Sequence, residues 1–520
     1  MSKTFNYGTD HLSIGICLDI ASDKVNGIIG DQAKKKITAS WREAGKIVER
    51  QIPVYGINTG FGPLCDTHIS EEDTSTLQYN LLKSHSVGVG NSIQKEIAKL
   101  MLISKVHALA QGYSGISMNT LDRIIWHIDH DIIPVVPEKG SVGASGDLAP
   151  LAHLFLPLIG LGELEEQGNV LPAAEILQKH GLKPIRLGPK EGLALINGTQ
   201  FILSYAVKAV QRMHNALQLA DLAGAMSLEG LMGSARPFDP RLHHIRPYKG
   251  TKLVAYRLFS LLNNSEILKS HVNCDRVQDP YSLRCMPQVH GASRNSWLHL
   301  KQLTEIELNS VTDNPIIFNA NDTISGGNFH GQPLALPLDY AAIAVAELGN
   351  IADRRCYLMS EGRYGLPKLL TEHAGLNSGL MIPQYTTAAL VTENKTLCFP
   401  ASADSVPTSL GQEDHVSMGS ISGRKLHKVL DNLEYIQAIE LLYAAQAMDF
   451  RRPLKSTPIM EACHNYVREK VPFIKDDRVF ADDIKALHGI VADGSLLALA
   501  EEAAAKNNIK LDNDDEFGIY

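Results

Sequence analysis

The stretch ISGRKLHKVLDNLEYIQAIELLYAAQAMD, residues 421–449, decides the fold. Leu426, Val429, Leu430, Leu433, Ile436, Ile439 and Leu442 follow one another at steps of three or four, so on a helix they form one continuous apolar stripe. No glycine or proline interrupts it after Gly423. At about 1.5 Å of rise per residue, a helix of this length runs roughly 40 Å. Three further segments, about 199–232, 288–311 and 338–361, carry helix formers with periodic apolar positions. Rods of this length bury their stripes against one another, which predicts a mainly α protein built on a long-helix bundle.

Upstream the pattern is choppier. A helix-like segment, Ile37 to Arg50, ends before Pro53, and the glycine-punctuated YGINTGFGPLC, residues 55–65, reads as a loop. Ser70 opens a helix through about Ser84, with Asp73 near the acid position of a capping box. Asn91 or Ser92 starts another helix, closed by Gly112. The expected organisation is a mixed N-terminal part, residues 1–198, followed by the helical bundle and C-terminal helices, residues 199–520.

Composition narrows the function. Lysine and arginine total 49 against 57 aspartate and glutamate, a formal net charge of −8 without the concentrated basic face that nucleic acid requires. Seven scattered cysteines without a CxxC pair read as thiols in a reducing compartment. The N-terminus MSKTFNYGTDHLSIG lacks the apolar core of a signal peptide. The apolar stretch Leu148 to Gly162 is broken by Pro150, His153 and Pro157, and is too short to span a bilayer. A cytoplasmic protein without membrane or nucleic-acid partners is the expectation. His127 and His130 have no third ligand within sequence reach, so no metal is expected either.

The unusual residues cluster in loops between the long helices: QDPYSLRC (278–285), TDNP (312–315), GGNFHG (326–331) and GQEDHVSMGS (411–420). P-loop, HExxH, GxSxG and dinucleotide signatures are absent. GSVGASGDLAPLAHL, residues 140–154, has a chemical option of its own. In a tight bend the amide nitrogen of Gly146 can attack the carbonyl carbon of Ala144. Loss of one water closes a five-membered ring, and loss of a second from Ser145 leaves an exocyclic methylene. The product, 4-methylideneimidazol-5-one (MIO), is an electrophile made from the chain itself. Gly146 offers an unhindered, flexible nitrogen, Ser145 the leaving hydroxyl, and Ala144 an uncrowded turn. The plainer alternative is a small-residue turn before a helix capped by Asp147.

ASGDLAPLAHL, preceded by YGINTGFG and followed in order by NGT, QDPYSLRC, TDNPI, GGNFHG and QEDHVSM, resembles the aromatic amino acid ammonia-lyase family from about Tyr55 to Phe450. Within that family the motifs are most similar to the histidine-acting branch. The resemblance implies a histidase/fumarase-like helical fold and a homotetramer with composite active sites. It also implies MIO formed from Ala144-Ser145-Gly146, with no external cofactor. The implied reaction is elimination of ammonia from an amino acid, giving urocanate from histidine as the first step of its degradation.

Matched position by position, Tyr55 is the tyrosine that removes the β-proton, Tyr281 the second active-site tyrosine, and Arg284 the carboxylate-binding arginine. Asn197 and Gln278 are amides around the prosthetic group and carboxylate, and Phe329 is an aromatic wall. Ser84-His85 matches the selectivity pair. Glu413 can accept from an imidazole N–H, where phenylalanine- and tyrosine-acting relatives usually carry a shorter NQD-type motif. Gly411 departs from the asparagine common in histidases and is expected to loosen the Glu413 loop. A tyrosine or phenylalanine ammonia-lyase, or a 2,3-aminomutase, is the alternative within the family. Outside it stand a fumarase-type lyase, whose GSSxMPxKxN-like signature is absent, and an inactive helical scaffold.

Overall fold

The computed structural model describes residues 3–50, 53–54, 56–60, 62 and 69–520. The helices that matter for the site are α1 (Lys95–Ala110), α2 (Gln200–Gly230), α3 (Met286–Leu308), α4 (Gln332–Ser360), α5 (Met381–Leu397) and α6 (Gly419–Asp449). α6 packs along both α4 and α2, α3 packs against α4 and α2, and α5 lies beside α4 and α6. All seven stripe residues of α6 are fully buried. From Gln437 to Met448 the burial extends all round, because Pro458–Lys470 and Phe480–Ala492 cover the face that a single stripe would leave open. The polar residues there carry their own partners. Glu440 takes both ends of the Arg355 fork, at 2.5 and 3.0 Å, and accepts from Ser227 Oγ at 2.9 Å.

Several boundaries differ from the sequence expectation. α4 starts at Gln332 rather than near 338: Pro333 falls in the first turn, where its missing N–H needs no partner, and Pro337 is carried inside the helix. The helix expected from Ile37 starts at Asp31, since its first turn, DQAKKK, shows little apolar periodicity. Asn91 and Ser92 do not start α1. They belong to a strand, Val89–Ser92, paired with Pro137–Lys139, and α1 begins at Lys95. A partner some 45 residues away in sequence claims these residues, and local capping signals cannot register it. Ser70 does cap Glu71–His85, accepting from Asp73 N at 3.2 Å.

Strands are short, and among the described residues no sheet exceeds three of them. α4 is long and apolar enough to cross a membrane by length and composition, yet 72% of that apolar window is buried inside the protein. One large apolar cluster joins the N-terminal helices to the first half of α2 and the facing parts of α3, α4 and α6. A second joins the last half of α2 to the last half of α6 and the C-terminal helices.

The bundle thus has two poles. At one, the N-termini of α2, α4 and α6 meet the 140–147 loop: Met418 N donates to Val142 O (3.0 Å) and Ser420 Oγ to Ser141 O (2.7 Å). At the other, the α2 C-terminus receives Arg276, whose Nη1 donates to Leu231 O at 3.3 Å. The 31 residues of α2 separate the poles by about 46 Å.

Near the second pole, fully buried Glu229 accepts from Ser456 Oγ at 2.5 Å and from Ser265 Oγ. Burial raises its carboxyl from 4.5 to about 7, with the serine hydrogen bonds acting the other way. A folded-state value above the unfolded one gives stability that is present below about 4.5 and lost as pH rises through about 7. The advantage of wild type over Glu229→Gln should therefore shrink by up to about 3 kcal/mol across that window and stay constant above it. Denaturant melts at stepped pH check this, and a pH-independent difference contradicts it.

Candidate active site

The 140–147 loop is bent by its backbone. Ser145 sits at φ +49° and Gly146 at +83°, two successive left-handed residues that turn the chain sharply at Ala144-Ser145-Gly146. That conformation is uncommon for a residue with a Cβ such as Ser145. Residues 197–199 lie alongside as a short parallel pairing. Gly198 N donates to Ser145 O at 3.4 Å, and Asp147 N donates to Gly198 O at 2.8 Å. A Cβ at Gly146 would stand 2.1 Å from Gly198 O, so this approach admits glycine alone.

Asp147 does not cap the helix that follows it. Its carboxylate turns toward α2, accepting from Ile202 N at 3.0 Å, and from Ser141 Oγ at 3.3 Å. Burial raises it to about 7, while those hydrogen bonds act to lower it. Lys105 of α1 approaches the 197–199 segment from behind and donates to Asn197 O at 2.5 Å. Burial lowers its ammonium to about 7, with Asp313 and Asp147 acting to raise it and Lys190 to lower it.

Ser145 Oγ donates to Glu413 Oε1 at 2.8 Å. The other carboxylate oxygen accepts from Ser409 Oγ (2.6 Å) and Thr408 Oγ1 (3.2 Å), and Thr408 N closes the loop onto Glu413 O (2.9 Å). Gly411 stands at φ +88°, in the left-handed region that glycine adopts without strain. His85 is half-buried, with Ser84 Oγ at 3.0 Å from its Nδ1. Burial lowers its imidazole, and the charge of Glu413 opposes that shift. A cavity of about 260 Å³ lies between these parts, lined among others by Ser84, His85, Ala144, Leu148 and Ser409.

One pole thus gathers His85, Ala144, Ser145, Gly146, Asn197 and Glu413. Phe329 belongs to the same pole, half-buried next to His330, whose ring stacks on His415 at 5.5 Å. Gln278, Tyr281 and Arg284 do not join them. Gln278 is exposed and Tyr281 is 71% exposed, on the segment anchored by Arg276 at the far pole. There the Arg284 guanidinium lies 4.5 Å over the Tyr281 ring and its Nε donates to Asp279 O at 3.0 Å, the two residues bounding one short helical turn, Tyr281–Arg284. Tyr55 lies outside the described residues. His127 and His130 serve the fold, with Nδ1 atoms on Ile132 O and Trp126 O at 2.9 and 2.8 Å. Sequence reasoning missed Ser141, Thr408, Ser409 and Lys105. Small hydroxyls and a lone lysine carry no spacing signal, and only the folded loop shows what they hold.

The residues fit a ring formed from the 144–146 tripeptide. The turn is tight, Gly146 is unobstructed only because it lacks a Cβ, and the buried Asn197 Oδ1 has no partner among the described residues, leaving an acceptor for a group at the loop.

With this long-helix bundle and left-handed serine turn, the chain belongs to the aromatic amino acid lyase family, whose model matches residues 12–469. Its relatives include a protein named histidine ammonia-lyase from Myxococcus xanthus, 46% identical over 95% of this chain and 98% of that one. The crystal structure of histidine ammonia-lyase from Trypanosoma cruzi superposes with a TM-score of 0.90 at 40% identity, covering 99% and 97% of the two chains. A tyrosine aminomutase from Streptomyces globisporus gives 0.92 at 34% identity, covering 98% and 100%.

Proposed function

We propose that this chain eliminates ammonia from L-histidine to give trans-urocanate, the first step of histidine degradation. The observation that carries the reading is the Glu413 carboxylate, held against Ser145 beside the His85 cavity. A carboxylate in an apolar-substrate pocket costs free energy unless the ligand brings a donor, and an imidazole N–H does. The 46% identity to a histidine ammonia-lyase supports the same substrate.

The reaction has two obstacles, a weakly acidic β-hydrogen and a poor amine leaving group. MIO, formed when Gly146 N bonds to the Ala144 carbonyl carbon and two waters depart, supplies an electrophile for the amine. The chain's own residues do the rest. Tyr55 takes the β-proton, which requires a phenol well below its ordinary value near 10. Arg284 grips the substrate carboxylate with its planar fork, assisted by Gln278, and Tyr281 stands beside it. Asn197 turns its free amide oxygen to the prosthetic group, and Phe329 walls the ring. Glu413 and His85 read the imidazole. Departure of the Ser145 hydroxyl as water frees Glu413 Oε1 for that role, while Ser409 and Thr408 keep the other oxygen in place.

Separation of the two residue groups by about 46 Å supports a homotetramer with composite sites, in which Gln278, Tyr281 and Arg284 come from a neighbouring copy. α4 supports it as well, presenting Leu336, Tyr340, Ile343 and Tyr357, each about half exposed, along one outer face. The six described cysteines are free, which supports a cytoplasmic setting.

Purified protein should be lighter than its encoded mass by two waters, and Ser145→Ala should keep the fold, the full mass and almost no turnover. Full mass with full activity in wild type would overturn the ring. Offered histidine, tyrosine and phenylalanine, the protein should release a conjugated acid from histidine. Glu413→Gln should lower kcat/KM for histidine about ten- to hundredfold, as expected for a charged hydrogen bond of roughly 1.5–3 kcal/mol. Preference for tyrosine or phenylalanine would make the chain an ammonia-lyase of those amino acids instead, and a β-amino acid product would make it a 2,3-aminomutase. Inactive Tyr55→Phe and Arg284→Ala chains, unfolded and refolded together, should regain partial activity. Mixed tetramers no more active than either parent would refute the composite site.

A further inference from the structure

Lys105 has no part in the chemistry above, yet it is a buried lysine beside the candidate site. It is 1% exposed, and its ammonium makes one hydrogen bond, to Asn197 O, with no carboxylate in ion-pair range among the described residues. Asp313, the largest attractive charge on it, is bound by Lys190 at 2.5 Å. A buried ammonium without a direct counter-ion is strongly disfavoured, and a neutral donor would tether the same carbonyl at far lower cost.

What distinguishes a cation here is where that carbonyl leads. Asn197 C=O and Gly198 N–H are the two ends of one peptide group. Positive charge at the oxygen draws electron density across the amide and strengthens its N–H as a donor. That N–H is directed at Ser145 O, at 3.4 Å. We infer that Lys105 is a positioning residue for maturation of the loop, polarising the Asn197–Gly198 peptide toward the Ser145 carbonyl. The inference rests on the reading that Ala144-Ser145-Gly146 cyclises.

The step it assists is the second loss of water. A proton leaves Cα of Ser145 and hydroxide leaves its Cβ, together making one water. The electron pair of the Cα–H bond becomes the new Cα=Cβ bond. Between these events negative charge rests on Ser145 O, the atom that Gly198 N–H meets, as a preorganised donor does at a developing oxyanion. Lys105 touches none of the reacting atoms and acts through one peptide group.

The test follows maturation instead of turnover. Freshly synthesised wild type, Lys105→Met, Lys105→Gln and Lys105→Arg are sampled over time for intact mass and near-ultraviolet absorbance, with far-ultraviolet circular dichroism as the check on folding. Wild type should lose two waters. Lys105→Met and Lys105→Gln, folded, should mature at least tenfold more slowly and accumulate chains that retain one or both waters. Lys105→Arg, which keeps the charge, should recover part of the rate. The pair Lys105→Gln and Lys105→Arg decides between roles, since the first keeps an uncharged amide donor, one bond shorter, and the second keeps the cation. Maturation of Lys105→Gln at the wild-type rate overturns the proposal, and so does its failure to fold, which would assign Lys105 to the fold. Wild type at full encoded mass overturns the ring itself, a different result from a wild type that matures and variants that match it.

Discussion

The contact between Gly146 and Gly198 is the constraint on which the site depends. Two backbone segments more than fifty residues apart run side by side at a distance that leaves no room for a side chain. Because Gly198 lies two residues before α2, the serine turn is fastened to the start of a rod running the whole length of the bundle. Asp147 ties the same point a second time by accepting from Ile202 N in the first turn of α2. A left-handed serine is costly in isolation. Here the pairing, the buried carboxylate and the Ser141 hydroxyl together over-determine it, which is the condition for strain to persist at a functional turn.

The same rod divides the chemistry. α2 brings helix N-termini and the serine turn to one pole and carries the Arg276–Arg284 segment to the other. A bundle of long helices is stable because its stripes are long, and that length keeps one chain from closing a site over a small amino acid. The exposed apolar face of α4 and the split residue set are two consequences of one geometric fact. In the proposed homotetramer, lateral association of copies covers the first and reunites the second.

Legibility in the sequence followed the range of the interactions. Leu426 to Leu442 announced α6 because a stripe is a local, periodic property, and Ser70 announced its helix because a cap acts over three residues. Asn91 and Ser92 misled because their pairing partner, Pro137–Lys139, is distant. The candidate site was readable where composition is peculiar, at Ala144-Ser145-Gly146 and at Glu413. It was unreadable where ordinary residues gain meaning from position. Thr408 and Ser409 are unremarkable until both donate to one oxygen of Glu413. Asp147 reads as a cap in sequence and is a cross-brace in the fold, because the α2 amide it reaches lies 55 residues away.

Glu413 shows how such a pocket can fold before its ligand exists. A bare carboxylate beside His85 and the apolar lining of the cavity would be disfavoured in the unmatured chain. That chain supplies its own donors instead, two hydroxyls on one oxygen and Ser145 Oγ on the other. In the proposed maturation the Ser145 hydroxyl leaves as water, so the donor that stabilised Oε1 during folding is the group that ring formation removes. In the same proposal an imidazole N–H replaces it one for one, exchanging one charge-assisted hydrogen bond for another with little net cost. A phenyl ring brings no donor and would leave Oε1 unpaired, which is where the discrimination lies. On this proposal, selectivity for histidine and completion of the ring are coupled through a single carboxylate oxygen, since the acceptor proposed to read the substrate is released by the same chemistry that would make the electrophile.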